Sequence, residues 1–199
     1  MDPSQMRITA EPLTTAMCRF TVDRPVYPGE SFYFNNRERA AQSALASQLF
    51  QIEGVSGVLI SHDQVTVSKG GVDDWPILGK KIGATIRQWA ASGQPAVSAE
   101  ARQQLPAAEV LRERVQDVLD MDINPAVASH GGFVELIDVN RNDVYLRMGG
   151  GCQGCGMASM TLRQGVESAI RRSVPEVGAI FDTTDHAAGR NPYYAPAGH

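Results

Sequence analysis

Residues 149–156 read Gly-Gly-Gly-Cys-Gln-Gly-Cys-Gly, and the patterns on either side of this stretch decide the fold of the C-terminal half of the chain. Before it, apolar residues occupy every second position from Val144 to Met148, which predicts a half-buried strand. After it, apolar residues recur at helical spacing from Leu162 to Val174, ahead of Pro175. This second pattern predicts an amphipathic helix that reaches Ser173. The cysteines therefore lie in a loop between a strand and a helix.

The rest of the C-terminal half continues the mixture of strands and helices. Strands are expected at Phe133–Val139 and Val177–Phe181, and the polar residues 140–143 form a turn after the first of them. A helix is predicted over Glu109–Met121, with four residues facing inward: Val110, Val115, Val118 and Leu119.

The N-terminal half shows the same two kinds of pattern. Alternating apolar residues predict strands at Met6–Ala10, Cys18–Val22, Val55–Ile60 and Gln64–Ser68. Pro25, Pro28 and Gly29 interrupt the alternation. Helical spacing predicts two helices, Arg37–Phe50 with Asn36 as its N-cap, and Trp75–Ala91.

These elements predict an α+β fold of two small domains joined by a flexible linker. The first domain is expected at residues 1–92 and the second at residues 107–182. Residues 93–106 are small, polar and interrupted by proline, which is typical of a linker. Residues 183–199 are polar and rich in glycine and proline, which predicts a disordered tail.

The composition excludes several classes of protein. A chain of 199 residues with 43% hydrophobic and 20% charged residues is ordinary for a globular protein. Its net charge of −4 leaves no basic stripe for phosphates, so no nucleic-acid partner is expected. No apolar run approaches the roughly 20 residues of a membrane helix, and the first residues lack a signal or transit pattern. We therefore expect a cytoplasmic protein without a membrane partner.

Cys152 and Cys155 are the candidate ligands of a metal centre. Cysteines at positions i and i+3 can turn both sulfurs toward one metal ion or cluster. Five of the eight residues in 149–156 are glycines, which let backbone N–H groups approach a thiolate or sulfide closely. The N-terminus of the following helix also favours thiolate. Three cysteines in a reducing compartment point to metal or redox chemistry rather than to disulfides.

The number of ligands points to more than one copy of the chain. Zinc and iron–sulfur sites commonly use four cysteines, and this chain has two close together. Cys18 shares a strand face with Phe20 and Val22, so we expect a small buried apolar residue. Two copies about a two-fold axis can supply four thiolates. A shared cluster, a thiol redox pair acting as a thiol–disulfide oxidoreductase, and a zinc-bridged interaction module remain open at this point.

The C-terminal half contains a series of short motifs: Ile123-Asn124-Pro125, His130-Gly131-Gly132, Gly150–Cys155, Leu162–Glu167, Pro175-Glu176-Val177 and, in the tail, Asp185-His186 and Tyr193-Tyr194. Through these motifs the chain from about Val110 to Tyr194 resembles the NifU-like domain of Nfu-type iron–sulfur carriers. The N-terminal half is similar to the Nfu N-terminal domain through Leu45–Val55, Val65–Lys69 and Trp75. It departs from that family at Glu11–Thr15, where relatives usually carry Thr-Pro-Asn-Pro.

This resemblance implies a carrier and not an enzyme. Cys152 and Cys155 of two subunits are expected to hold one [4Fe–4S] cluster per homodimer. An upstream scaffold is expected to load the cluster, and apo iron–sulfur client proteins are expected to receive it. No catalytic residue is expected.

Overall fold

The computed structural model describes residues 6–71, 74–129, 131–150 and 157–183, and for residues 157–162 it describes the backbone alone. The chain is an α+β protein, as predicted, and it divides into two compact units, Met1–Leu105 and Pro106–His199. Each unit contains a hydrophobic core of its own. Within the described ranges, none of the helices is long and apolar enough to cross a membrane. Beyond Thr183, the predicted tail lies outside the described residues.

The first unit is built on five antiparallel strands: β1 (Ile8–Pro12), β2 (Met17–Val22), β3 (Tyr27–Phe34), β4 (Val55–His62) and β5 (Gln64–Lys69). Their order in the sheet is β1-β2-β5-β4-β3. The strand pair β4 and β5 and the strand β2 confirm the alternation seen in the sequence. One long helix, α3 (Trp75–Ser92), is also as predicted and buries Leu78, Ile82 and Ile86.

The strand β3 is not predicted from the sequence, because Pro28 and Gly29 interrupt the alternation there. This strand lies at the edge of the sheet, where it pairs with β4. The register of this pairing shifts between Tyr27 and Phe32, and Pro28 and Gly29 lie within that part of the strand. Proline has no N–H to donate and is tolerated on edge strands and at bulges.

The single helix predicted over Arg37–Phe50 is wrong in its continuity, since the chain forms two helices, α1 (Arg37–Ala40) and α2 (Ala44–Leu49). Asn36 caps the first of them, as predicted, because its Oδ1 accepts a hydrogen bond from the Arg39 N–H at 2.8 Å. The break comes at Ser43, whose backbone is extended and whose hydroxyl accepts from the Ala46 N–H at 2.9 Å. A serine that caps the next helix offers the backbone an alternative to continuing the previous one.

The stretch 93–106, in which a linker is predicted, contains a short helix, α4 (Ala99–Gln103). Its N-cap is Ser98, whose hydroxyl accepts from the Ala101 N–H at 3.2 Å. Three side chains of the stretch are buried in the first core: Ala96, Val97 and Ala101. Residues 96–101 therefore pack with the first unit.

The second unit contains the helices α5 (Ala108–Val118), α6 (Asn124–Ala128) and α7 (Met157–Ser173) and the strands β6 (Gly132–Asn140), β7 (Asp143–Gly150) and β8 (Ile180–Asp182). A π-helical turn at Leu119–Ile123 joins α5 to α6. The strand order is β6-β7-β8, with β6 antiparallel and β8 parallel to β7. The central strand is therefore β7, which leads directly to residues 151–156.

The helix predicted over Glu109–Met121 is regular as far as Val118, and one of its inward assignments is wrong. Val110 is 45% exposed, whereas Leu111 is fully buried. Val115, Val118 and Leu119 are buried as predicted. The inward face of α5 therefore begins at Leu111, because the positions i, i+4 and i+7 from that residue fall on the same side of a helix.

Candidate functional site

Cys152 and Cys155, the predicted ligands, lie outside the described residues, as does His130. The structure does describe the two elements that flank the cysteine pair. The strand β7 ends at Gly150 and the helix α7 begins at Met157. The predicted order of strand, cysteine pair and helix is therefore correct for both flanking elements.

The end of β7 lies against the start of β6, where Gly149 pairs with Phe133. A Cβ atom at position 149 would be 2.6 Å from Cε2 of the Phe133 ring, and nearer still to two other ring carbons. Such a distance is far shorter than the 3.5–4.0 Å of a favourable carbon contact. Gly149 is buried, although Phe133 is itself 48% exposed. The ring therefore occupies the space that a side chain at position 149 would need.

Gly150 is constrained in a second way. Its φ angle is 62°, in the left-handed region that side chains other than glycine rarely adopt. A Cβ at position 150 would overlap the carbonyl oxygen of Gly131 and lie 3.2 Å from its carbonyl carbon. Gly131 in turn donates its N–H to the Ala128 carbonyl at 2.9 Å. The backbone before the cysteine pair thus lies directly on the turn that follows α6.

Asn124 connects the end of the π-helical turn to β6. Its Oδ1 accepts from the Val134 N–H at 2.8 Å, and its Nδ2 donates to the Val134 carbonyl at 3.0 Å. Because β6 is at the edge of the sheet, a side-chain amide here takes the place of a neighbouring strand. The residue next to Phe133 is therefore fixed by two hydrogen bonds.

The sheet carries an ion pair and an aromatic pair near the same strands. Arg147 donates to Oε2 of Glu135 from Nε at 3.1 Å and from Nη2 at 2.6 Å. Both side chains are about half exposed, so solvent screening leaves this ion pair a small contribution to stability. Tyr145 and Phe181 stack with ring centroids 5.0 Å apart, which packs β7 against β8. Pairing and ring packing, more than charge, hold β7 in register.

Cys18 is buried in β2, with 2% of its surface exposed, as predicted. Burial is the main cause that raises the pKa of its thiol, against a smaller lowering by a backbone hydrogen bond at Glu11. A protonated, buried thiol is inert as a metal ligand. In the part of the chain that the structure describes, no group of three or more His, Cys, Asp or Glu side chains is placed to hold a metal ion.

The sequence does not reveal the contacts that Phe133 and Gly131 make with the end of β7. The alternation of β6 marks Phe133 only as the start of a strand, and Gly131 enters the sequence analysis only as part of the motif His130-Gly131-Gly132. The available signal was the hairpin itself, since a strand pair joined by a short turn must bring its two far ends together. Those far ends are Gly132 and Phe133 on one strand, with Gly131 directly before them, and Gly149 and Gly150 on the other.

Two family models match the chain, one in each unit. Residues 8–93 match the scaffold protein Nfu/NifU N-terminal domain, and residues 115–181 match the NifU-like domain. The order of the two domains and the location of the cysteine pair within the second agree with the fold described above. The chain therefore contains an Nfu/NifU N-terminal domain followed by a NifU-like domain.

Its relatives include proteins named Fe/S biogenesis protein NfuA. That of Ruthia magnifica subsp. Calyptogena magnifica is 48% identical over 84 residues, which is 42% of this chain and 44% of the relative. That of Stenotrophomonas maltophilia is 52% identical over 84 residues, which is 42% of each chain. These matches span less than half the length of either relative. A NifU-like protein from Saccharomyces cerevisiae, solved by NMR, has a TM-score of 0.42 at 20% identity over 47% of this chain and 86% of that one.

Proposed function

We propose that this chain carries a [4Fe–4S] cluster between two copies of itself, held by Cys152 and Cys155 of each copy, and delivers the cluster to apo iron–sulfur proteins. The observation that carries the proposal is the cysteine pair between β7 and α7, inside the segment that matches the NifU-like domain. The similarity to Fe/S biogenesis proteins supports the same assignment.

The ligand count explains why a second copy is needed. A [4Fe–4S] cluster is commonly held by four cysteine thiolates, and each chain offers two at close spacing. Cys18 is a poor candidate for a third, because it is buried in the first core and burial raises its pKa. A two-fold arrangement supplies the missing pair from an identical segment. The loaded form is then a homodimer with one cluster.

Transfer is favoured by the residues around the cysteines. Glycines make up most of the segment 149–156 and offer few side chains to enclose a cluster. Thiolates of a client protein can then replace the four ligands one at a time. The protein in this proposal binds and delivers its cargo in the cytoplasm, receives it from an upstream scaffold, and catalyses no reaction.

Anaerobic reconstitution with iron and sulfide tests the ligands. We expect about two irons per chain in a dimer, the ratio for one four-iron cluster on two chains. Cys152→Ser and Cys155→Ser should each prevent cluster formation, because either change removes two of the four thiolates. Cys18→Ser is the matched control and should retain the cluster. A full cluster on a monomer, or its loss in the Cys18 variant alone, would contradict the proposal.

Delivery is tested with an apo [4Fe–4S] enzyme such as aconitase. The reconstituted protein should activate it in the presence of a chelator that captures free iron, and its own cluster absorption should fall as activity appears. Catalytic reduction of a disulfide by the iron-free protein, without chelator-resistant delivery, would favour a thiol–disulfide oxidoreductase. Stable binding of zinc with no uptake of iron and sulfide would favour an interaction module.

A further inference from the structure

We propose that Phe133 and the Gly131 carbonyl form a clamp on the end of β7 that positions the segment carrying Cys152 and Cys155, an inference that rests on the proposed function. The ring of Phe133 closes over Gly149, and the Gly131 carbonyl lies against Gly150. Phe133 lies at the start of β6 and Gly131 directly before it, and their contacts act on the last two residues before 151–156. Phe133 and Gly131 are therefore positioning residues, and the thiolates remain the ligands.

The exposed fraction of the Phe133 side chain argues for a positioning role and against a role in the core. The ring is 48% exposed and is not a member of the second core. Its neighbours on β6 and β7, Val134 and Met148, are buried members of that core. A half-exposed ring outside the core buries little apolar surface there, so core packing alone does not account for its position. The ring instead covers Gly149, the second-to-last residue of β7.

The two contacts of the clamp constrain Gly149 and Gly150 in different ways. At Gly149 the constraint is steric, since the three nearest atoms to an added Cβ all belong to the Phe133 ring. At Gly150 the constraint is also conformational, because its φ is 62°. Together they fix the position and the direction in which the chain leaves β7.

A fixed exit reduces the conformational entropy that is lost when two thiolates converge on one cluster. In a dimer with a two-fold axis, each change at this exit acts on both pairs of thiolates. A displacement too small to unfold the domain can then shorten the lifetime of the shared cluster, because four ligands must meet at one geometry. The clamp should matter more for holding the cluster than for folding.

A double-mutant cycle on Phe133 and Gly149 tests the clamp in the full-length chain. The variants are Gly149→Ala, Phe133→Ala and the two changes combined, with Gly165→Ala as control because a Cβ at 165 would meet no atom within 4 Å. Three quantities are measured: the half-life of the cluster absorption against a fixed chelator, the equilibrium of the Cys152–Cys155 disulfide with glutathione in the iron-free protein, and the thermal unfolding midpoint.

We expect Gly149→Ala to shorten the cluster half-life about tenfold or more, because small misplacements of reacting groups have effects of that size. The double variant should recover to about the half-life of Phe133→Ala, since the ring that collides with Ala at 149 is gone. Phe133→Ala should shorten the half-life and shift the disulfide equilibrium, with a small change in unfolding midpoint. Gly165→Ala should match the wild type in cluster half-life and disulfide equilibrium, and it should raise the unfolding midpoint slightly, because alanine favours the helix α7 more than glycine does.

The outcomes distinguish this inference from the proposed function. A wild-type chain that takes up no cluster would reject the proposed function, and the clamp on its ligands with it. A wild type that holds its cluster, together with Gly149→Ala and Phe133→Ala variants of unchanged half-life and unchanged disulfide equilibrium, would reject the clamp alone. If Gly149→Ala fails to fold, Phe133→Ala and the double variant still decide, because neither places a side chain against the ring.

Discussion

The hydroxyl of Ser43 donates a hydrogen bond to the backbone carbonyl of Ala96, which lies 53 residues further along the chain. The same oxygen accepts the Ala46 N–H at the start of α2. Ser43 is 1% exposed, so neither partner has water as a ready substitute. One buried serine therefore joins the second helix to the stretch that follows α3.

Ser43→Ala should destabilise the first unit by about 1–3 kcal/mol, because it removes a helix cap and leaves a buried carbonyl without its donor. Both tryptophans, Trp75 and Trp89, belong to this unit, so their fluorescence during denaturant unfolding reports on it. The exposed serine Ser129, in the second unit, is the control, and Ser129→Ala should leave the tryptophan transition in place. An unchanged transition in Ser43→Ala would show that Ala96 finds another donor.

Leu111 and Val110 form a matched pair for testing the buried face of α5. Leu111→Ala should lower the free energy of unfolding of the second unit by about 2–5 kcal/mol, because Leu111 is fully buried. Val110→Ala should change it by less than about 0.5 kcal/mol, since Val110 is 45% exposed. Far-UV circular dichroism reports on both units, so the transition of the second unit is the part of the ellipticity change that tryptophan fluorescence does not follow. Equal losses would mean that Val110 faces inward after all.

Asn124→Ala should destabilise the second unit by about 1–3 kcal/mol, because the Val134 N–H and carbonyl both lose their partner at the edge of the sheet. The measurement is the denaturant midpoint of the second unit, taken from the part of the ellipticity change that tryptophan fluorescence does not follow. Gln116→Ala is a suitable control, since the Gln116 amide bonds an exposed side chain, Asp120. A loss no larger than that of the control would argue against the Asn124 bridge.

Cys18 gives a prediction about pH. Burial raises the pKa of its thiol from the ordinary 9.0, so folding favours the protonated form. The stability that this provides is complete below the ordinary pKa and is lost as pH rises through the raised value. The Cys152→Ser/Cys155→Ser double variant has Cys18 as its one remaining thiol. Its first unit should lose stability above about pH 9 more steeply than the same variant carrying Cys18→Ala.

A parallel dependence in the two variants would contradict this assignment. Alkylation of the remaining thiol gives an independent measurement, because a reagent needs the exposed thiolate. Cys18 should react slowly in the folded chain and at the rate of a free thiol in denaturant. Fast reaction under native conditions would show that β2 opens readily.

The sequence predicts most elements of this fold because their apolar periodicity is strong. The strand pair β4 and β5 and the helix α3 are examples, since a buried face repeats along each of them. The misses at β3 and between α1 and α2 have a common cause. In both places a local feature competes with periodicity, a proline at a sheet edge in one case and a capping serine in the other.

The contact between Phe133 and Gly149 could not be predicted from the sequence. The hairpin turn pairs Asn140 with Asp143, and counting back from it with strict pairing would place Phe133 opposite Gly150. A register shift between Leu136 and Asp138 moves the partner to Gly149. A one-residue bulge depends on how the two strands pack against their surroundings, and no single residue type announces it. The sequence contains both Phe133 and the glycines, but it does not show that the ring lies against Gly149.

The parallel pairing of β8 with β7 has a consequence for synthesis on the ribosome. Since β8 follows α7 in the chain, β6, β7 and both cysteines emerge before the sheet can be completed. At about 5–20 residues per second, the passage from Gly150 to Asp182 takes roughly 2 to 6 seconds. During that interval one edge of β7 is unpaired and open to strands of other nascent chains. A pause in synthesis while β7 has left the ribosome and β8 has not should therefore promote aggregation of the nascent chain.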